Sequence, residues 1–217
     1  MADNTTLPLT GSGDATAVYG DDDIGSVKYP RVKIIHGADG TNNGDSARGN
    51  PFPVSVPLAS VTASFTRPSD ATAYAIGDVV CNSTSAPTVL TFSNMANANG
   101  LGGVIQAAFL YLGSNPTTKP VYDLFLFDTS PTIDNDNATF TPTDSEILNL
   151  VGVIPFAVGV PGDTTGTSTN TVYQTTPQLS FVCASGSTSL YGVLVARNAV
   201  TPTSADTYNF RLVVART

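Results

Sequence analysis

The chain has 217 residues, a formal net charge of −8 and only 12% Asp, Glu, Lys and Arg. This length fits one large all-β domain or two smaller ones, and the acidic balance argues against a phosphate backbone as a ligand. We therefore expect no nucleic-acid partner. No apolar run approaches the roughly 18 residues of a membrane-spanning helix, so we expect no membrane partner either. The start, MADNTTLPLTGSGD, lacks the basic and apolar regions of a signal peptide, which predicts synthesis in a cytoplasm.

The first part of the chain is too polar to build a core of its own. Residues 1–26 are rich in Gly and Asp, and they predict a flexible or partner-ordered tail. One short apolar strand is predicted at 32–35, and the stretch 37–50 consists almost entirely of turn-forming residues. Alternating prolines between 51 and 57 predict an extended connector. We therefore predict that residues 1–57 form an extended attachment arm.

The contact residues of this arm combine apolar side chains with the only dense positive charge in the chain. An extended segment of this kind can add a strand to the edge of a partner's sheet. The predicted partner-binding residues are Lys28, Tyr29, Arg31, Val32, Lys33, Ile34 and Ile35.

Residues 58–217 predict a β-sandwich, because short apolar or alternating runs recur between Gly, Pro, Asn and Asp. The last run alternates most regularly, with Tyr208, Phe210, Leu212 and Val214 on one face. About nine antiparallel strands of this kind predict an all-β sandwich, with a jelly roll as the expected topology. The strands are predicted from Ala59 to Thr66 and at 78–82, 88–93, 103–112, 121–128, 152–158, 179–183, 190–197 and 208–215.

The run VYDLFLFD at 121–128 is apolar on both faces. Such a strand lies either in the centre of a two-layer fold or at a subunit interface. We take Phe125 and Phe127 as candidate residues of an oligomer interface, with a homotrimer as the expected assembly.

One short helix is predicted before residue 152. Thr141 or Thr143 can act as the N-cap, Pro142 suits the first helical position, and Asp144 or Glu146 supplies the reciprocal carboxylate of a capping box. Three apolar side chains are expected to anchor this helix across one end of the sandwich: Ile147, Leu148 and Val151.

The chain offers little for catalysis. His36 is the only histidine, and its place between an apolar strand and a glycine is typical of a turn or interface residue. A Ser-His-Asp triad would require it, and no G-x-S-x-G motif supports one. We expect no enzymatic activity, no catalytic residue and no cofactor.

Two further groups could bind a metal or form a cross-link. Asp134 and Asp136 lie in an oxygen-rich loop that could hold calcium with Asp128, but the Gly and closing Glu of an EF-hand are missing, so a solvated turn is expected. Cys81 and Cys183 are expected to be small buried hydrophobic residues, with an intersubunit disulfide as the alternative.

Several segments of the amino-acid sequence resemble segments of virion proteins from tailed bacteriophages. The arm resembles a recurring phage segment through KYPRVK, GADG and NPFPV, and the body resembles a family of phage structural proteins through FTRPSDATAYAIGDVV, VYDLFLFDTSPTIDNDNATFTPTDSEILNLVGVIPF and TPTSADTYNFRLVV. Together these segments span most of residues 27–217. The resemblance implies a virion component made in the host cytoplasm, and it implies no particular binding residue.

Two functions remain open at this point. The first is a capsid decoration or cement protein that binds the major capsid protein on the outer shell and stabilises it. The second is a fibre-like adhesin of the tail or neck that presents loops to a host receptor. The absence of Trp, and the placement of most Tyr residues in predicted strands, favours the first, because sugar sites usually combine stacking aromatic and polar groups.

Overall fold

The chain forms two compact units, Met1–Ser55 and Val56–Thr217. The computed structural model describes residues 4–7, 17–24, 27–30, 58–163, 165 and 169–216.

In the first unit, the described residues form a three-stranded antiparallel sheet. Its strands are β1 (Asn4–Leu7), β2 (Ala17–Ile24) and β3 (Val27–Pro30), in the order β1-β2-β3. The sequence predicted a polar tail over residues 1–26, and the structure differs because antiparallel pairing satisfies backbone groups without requiring an apolar run. The strand predicted at 32–35 and the connector at 51–57 lie outside the described residues.

The second unit is an all-β antiparallel sandwich, as predicted. Its six-stranded sheet contains β4 (Leu58–Thr66), β7 (Gly102–Leu112), β10 (Gly159–Pro161), β11 (Thr171–Thr175), β12 (Leu179–Val182) and β14 (Thr207–Arg216). Its five-stranded sheet contains β5 (Val79–Val80), β6 (Leu90–Phe92), β8 (Tyr122–Phe127), β9 (Leu150–Phe156) and β13 (Leu190–Ala196). The strand order is β10-β11-β7-β14-β4 in the first sheet, with β12 also pairing with β7, and β5-β13-β8-β9 in the second, with β6 also pairing with β13. A jelly-roll topology stays a prediction.

All nine strands predicted for the body are present, and the sequence missed two. Strand β10 is only three residues long and ends in Pro161, and β11 follows a polar run rich in Thr and Gly that is typical of a loop. Both strands form because β7 is long: its far end pairs with β11, which in turn pairs with β10.

The main core lies between the two sheets. The alternation of β14 is confirmed, since Tyr208, Phe210, Leu212 and Val214 are each at most 1% exposed. Strand β8 contributes Tyr122, Leu124 and Leu126 from the opposite sheet. Full burial of one such aliphatic or Phe side chain stabilises a fold by roughly 1.5–3 kcal/mol, so this interface holds the sandwich together.

A second apolar cluster covers the outer face of the five-stranded sheet. It comprises Val79, Cys81, Phe127, Val193 and Val195, with Ile133 and Phe140 of the loop after β8 packed against it. On its outer face, the strand that is apolar on both faces therefore has Phe127 buried and Phe125 half-buried by its own chain.

The predicted helix is present as α1 (Asp144–Ile147). Its capping box is confirmed: Thr143 is the N-cap, the Glu146 amide donates to Thr143 Oγ1 at 3.3 Å, and the Thr143 amide donates to Glu146 Oε2 at 2.8 Å. Pro142 precedes the cap rather than occupying the first helical position.

The anchoring prediction for α1 is wrong for two of its three residues. Ile147 and Leu148 are 43% and 86% exposed, whereas Val151 packs against the main core. The four-residue helix ends before Leu148, so only the following strand β9 brings an apolar side chain to the sandwich.

Candidate functional site

The predicted arm residues are described only in part. Lys28 and Tyr29 lie in β3, opposite Asp23 and Asp22 of β2 in the antiparallel register. Arg31, Val32, Lys33, Ile34 and Ile35 lie outside the described residues, as does His36. The pairing of β3 with β2 places an acidic position opposite a basic one.

Of the two interface candidates, Phe127 is buried within its own subunit and Phe125 is half-buried. The Phe140 ring lies 5.2 Å from that of Phe125 and 6.5 Å from that of Phe127, in edge-on contacts. Phe127 is 0% exposed. The guanidinium of Arg197 lies 5.4 Å from the centroid of the Phe125 ring, and its Nε donates a hydrogen bond to Asp123 Oδ2 at 2.6 Å. The burial of Phe127 removes it from the surface available to another subunit.

Asp136 is the centre of a buried polar network rather than part of a solvated turn. Its side chain is 0% exposed, and the carboxylate accepts three hydrogen bonds: from Arg67 Nη2 at 2.9 Å, from the Tyr74 hydroxyl at 2.7 Å and from the Cys81 amide at 2.9 Å. Arg67 also donates from Nε to the Tyr74 hydroxyl and from Nη1 to the Thr203 carbonyl. The network therefore joins the residue after β4, the segments on either side of β5, the β13–β14 connection and the loop after β8.

Burial governs the chemistry of this network. Burial lowers the pKa of Arg67, but Tyr74 and Asp136 outweigh it, so the pKa is raised and the guanidinium stays charged. Burial, with the negative charge of Asp136, raises the pKa of Tyr74 far above its ordinary value, so its hydroxyl keeps its proton as a donor. These fully partnered groups act as a structural clamp, because each buried donor or acceptor that they supply is satisfied.

The structure gives no support for a calcium site in this loop. Asp134 accepts hydrogen bonds from the amide of Thr141 at 2.8 Å and from its hydroxyl, and Asp136 is already occupied. Oδ1 of Asp128 is buried without a hydrogen-bond partner. Within the described parts of the chain, no group of three or more His, Cys, Asp or Glu side chains converges as metal ligands do.

Both cysteines are free and buried, as predicted. Cys81 belongs to the outer cluster of the five-stranded sheet, and Cys183 belongs to the main core. Burial raises the pKa of the Cys81 thiol to about 11, which makes this thiol a poor nucleophile at neutral pH.

The outer face of the six-stranded sheet carries an aromatic and cationic surface that the sequence analysis did not single out. We call Phe109, Tyr111, Asn209 and Arg211 the outer platform. The rings of Phe109 and Tyr111 are parallel within 6°, with centroids 6.1 Å apart, and the Arg211 guanidinium lies 4.2 Å from the Phe109 ring centroid. In the sheet register, Arg211 lies opposite Phe109 and Asn209 opposite Tyr111.

Strand periodicity alone could have placed Phe109 and Tyr111 on the outer face of β7. The intervening residues Ala108, Leu110 and Leu112 are at most 1% exposed, so Phe109 and Tyr111 must project from the other face of β7. The missing step was the register between β7 and β14, which joins the two aromatic residues to Arg211 and Asn209 and which no local pattern specifies.

A groove of about 500 Å³ adjoins the platform. It is lined by Thr62, Ala63, Ser64, Tyr111, Asn209, Phe210 and Arg211. There are two other depressions. One of about 450 Å³ near Pro116 and Val200 is lined mainly by loop residues. The other, of about 300 Å³ near Asn94 and Arg216, is lined mainly by small polar side chains at the end of β14.

Comparison with protein-family models and with curated proteins gives no significant match. No helix within the described ranges has the length and apolar character that crossing a bilayer requires. The functional proposal therefore rests on the residues of this chain and on their arrangement.

Proposed function

We propose that the protein is a structural component of a tailed-phage virion that decorates the outer capsid surface and stabilises the shell. Its partner would be the major capsid protein. The observation that carries the proposal is the division of the chain between Ser55 and Val56 into two compact units, the first of which contains the basic segment from Lys28 to Lys33. The residue-level resemblance of both parts to phage virion proteins supports the same assignment.

The sandwich has the properties of a body carried by a separate attachment element. The described members of its two buried clusters lie between Val61 and Val214. The first unit contains Lys28, Arg31, Lys33 and Arg48, four of the nine basic residues of the chain. Charged groups of this kind fix the orientation of a partner more than they add affinity.

Assembly of the body as a homotrimer is part of the proposal. Because Phe127 is buried, the apolar contacts between subunits would come from other side chains. Those that are more than 60% exposed are Leu58, Ile76, Leu148, Val158 and Val182. Their burial between copies would contribute roughly 25 cal/mol per Å² before the costs of association.

The test of attachment uses particles that lack this protein. We expect the full chain to bind them, and we expect a fragment of residues 58–217 to remain folded but not to bind. A full-length variant with Lys28, Arg31 and Lys33 replaced by Gln should bind more weakly, whereas the matched variant Arg197→Gln in the sandwich should bind normally. Full occupancy by the 58–217 fragment would refute the role of the first unit.

A second function, a fibre-like adhesin of the tail or neck, is favoured by one specific observation. The outer platform combines parallel aromatic rings with an arginine and an amide on one exposed sheet face. Imaging of whole particles separates the two functions, because a decoration protein occupies many sites on the shell and an adhesin occupies a few sites at one vertex.

A further inference from the structure

The outer face of the six-stranded sheet is positively charged in an otherwise acidic chain. The strands of this sheet contain no Asp or Glu, and their only charged residues are Arg211 and Arg216. Within the described part of the chain Arg211 makes no hydrogen bond or ion pair, and its Nε is buried without a partner. A guanidinium presents a planar fork of donors that matches a carboxylate, so this face offers an unused anion-binding group.

The neighbouring groups suit a sugar ring. Tyr111 and the half-buried Phe109 provide apolar ring surface beside the guanidinium. The groove next to them is lined by the hydroxyl-bearing Thr62 and Ser64 and by the amide of Asn209, all exposed. Its volume of about 500 Å³ falls within the range of small-molecule sites, which combine apolar and aromatic walls with a few polar groups.

The position of the platform on the sheet argues against two other occupants, an added peptide strand and a nucleic acid. Strand β14 is paired with β4 on one side and β7 on the other, so an added peptide strand would find no free backbone groups beneath the platform. A nucleic-acid backbone requires several phosphate contacts, and this part of the sheet supplies a single cation. A ligand of the platform must therefore be recognised by side chains at one compact site.

We propose that the outer platform binds a carboxylate-bearing saccharide. The carboxylate pairs with Arg211, the sugar ring packs against Tyr111, and hydroxyl groups of the sugar bond to Asn209 and to Ser64 or Thr62. This binding activity goes beyond capsid attachment and does not depend on it, because it resides in the sandwich and not in the first unit.

The test is a calorimetric or NMR titration of the full chain with two probes, trigalacturonic acid and 3′-sialyllactose. Each has a neutral counterpart: fully methyl-esterified trigalacturonate for the first and lactose for the second. We expect at least one acidic probe to bind with a Kd of about 1 mM or lower. Its neutral counterpart should bind at least about tenfold more weakly, because one charge-assisted pair is lost. Failure of both acidic probes to bind at about 10 mM would overturn the proposal.

Variants assign the binding to the platform. Arg211→Gln should weaken binding of the acidic probe at least about tenfold, and Arg211→Lys should retain part of it because the charge remains. The matched control is Arg197→Gln on the five-stranded sheet, which should bind like the unaltered protein. Unchanged binding by Arg211→Gln, or an equal loss in Arg197→Gln, would contradict the assignment, and circular dichroism of each variant verifies that it is folded.

Discussion

On the outer face of each sheet an arginine lies over an aromatic ring, but only the arrangement on the five-stranded sheet is covered by another segment of the chain. On the five-stranded sheet, Arg197 lies over Phe125 and pairs with Asp123, and the ring of Phe140 covers the aromatic residues. On the six-stranded sheet, Arg211 lies over Phe109 without an acidic partner. An arginine over an aromatic ring is thus part of a closed structural layer on one face and part of an open surface on the other.

The difference lies in the covering segment and in Asp123 of strand β8, which has no acidic counterpart in the strands of the six-stranded sheet. The loop after β8 brings Ile133 and Phe140 onto the five-stranded sheet, and Asp136 fixes this loop through Arg67 and Tyr74. The six-stranded sheet has no such layer among the described residues. A buried ion pair that positions a loop can therefore determine which face of a sandwich is available to ligands.

Breaking the clamp should have the largest effect. Asp136→Asn keeps the volume of the side chain but removes the buried acidic partner of Arg67. Only the partly exposed Asp70 carboxylate, 3.5 Å away, then remains, so we expect a loss of about 3–5 kcal/mol in the free energy of unfolding. The control Asp134→Asn, which can still accept from the Thr141 amide, should cost less than about 1 kcal/mol. Urea denaturation of both variants measures the difference, and equal stabilities would show that Asp136 does not hold the loop.

Truncating one aromatic residue on each face tests the contrast between covered and open surfaces. Phe127→Ala removes a fully buried ring and should destabilise the sandwich by about 3–5 kcal/mol. Phe109→Ala removes a half-buried ring and should cost clearly less, on the order of 1 kcal/mol. Thermal or urea unfolding gives both values, and a cost for Phe109→Ala as large as that for Phe127→Ala would mean that the outer platform is part of the core.

The smallest effect concerns the pH dependence of the covering loop. Hydrogen bonds from the amides of Thr143 and Thr132 lower the pKa of Glu146 to about 2, and the Thr132 amide donates at 2.6 Å. Because the pKa is lower in the folded protein, this contribution to stability is present above the ordinary value near 4.5 and is lost as pH falls toward 2.

Glu146→Gln should therefore flatten this part of the stability profile between pH 4.5 and 2. Amide NMR shifts of Thr132 and Thr143, followed through the same range, report the change locally. Identical acid profiles for Glu146→Gln and the unaltered protein would contradict the assignment of this contribution to the capping box.

The sequence predicted local features of the fold well and long-range ones poorly. The alternation from Tyr208 to Val214 and the cap formed by Thr143 and Glu146 depend on neighbouring residues, so short patterns were sufficient. Asp136 looked like a loop residue because its neighbours are polar, and only the approach of Arg67, distant in the chain, makes it a buried clamp. The sequence analysis missed the outer platform for the same reason, because the register of β7 with β14 brings its residues together.

Reconstruction of whole phage particles by electron cryomicroscopy tests the central proposal most directly. We predict many copies of the sandwich over the capsid shell, with density for residues 1–55 in contact with the major capsid protein. In that arrangement the outer platform should face solvent. Copies confined to one vertex or to the tail, or a sandwich that contacts the shell while the first unit does not, would contradict the account.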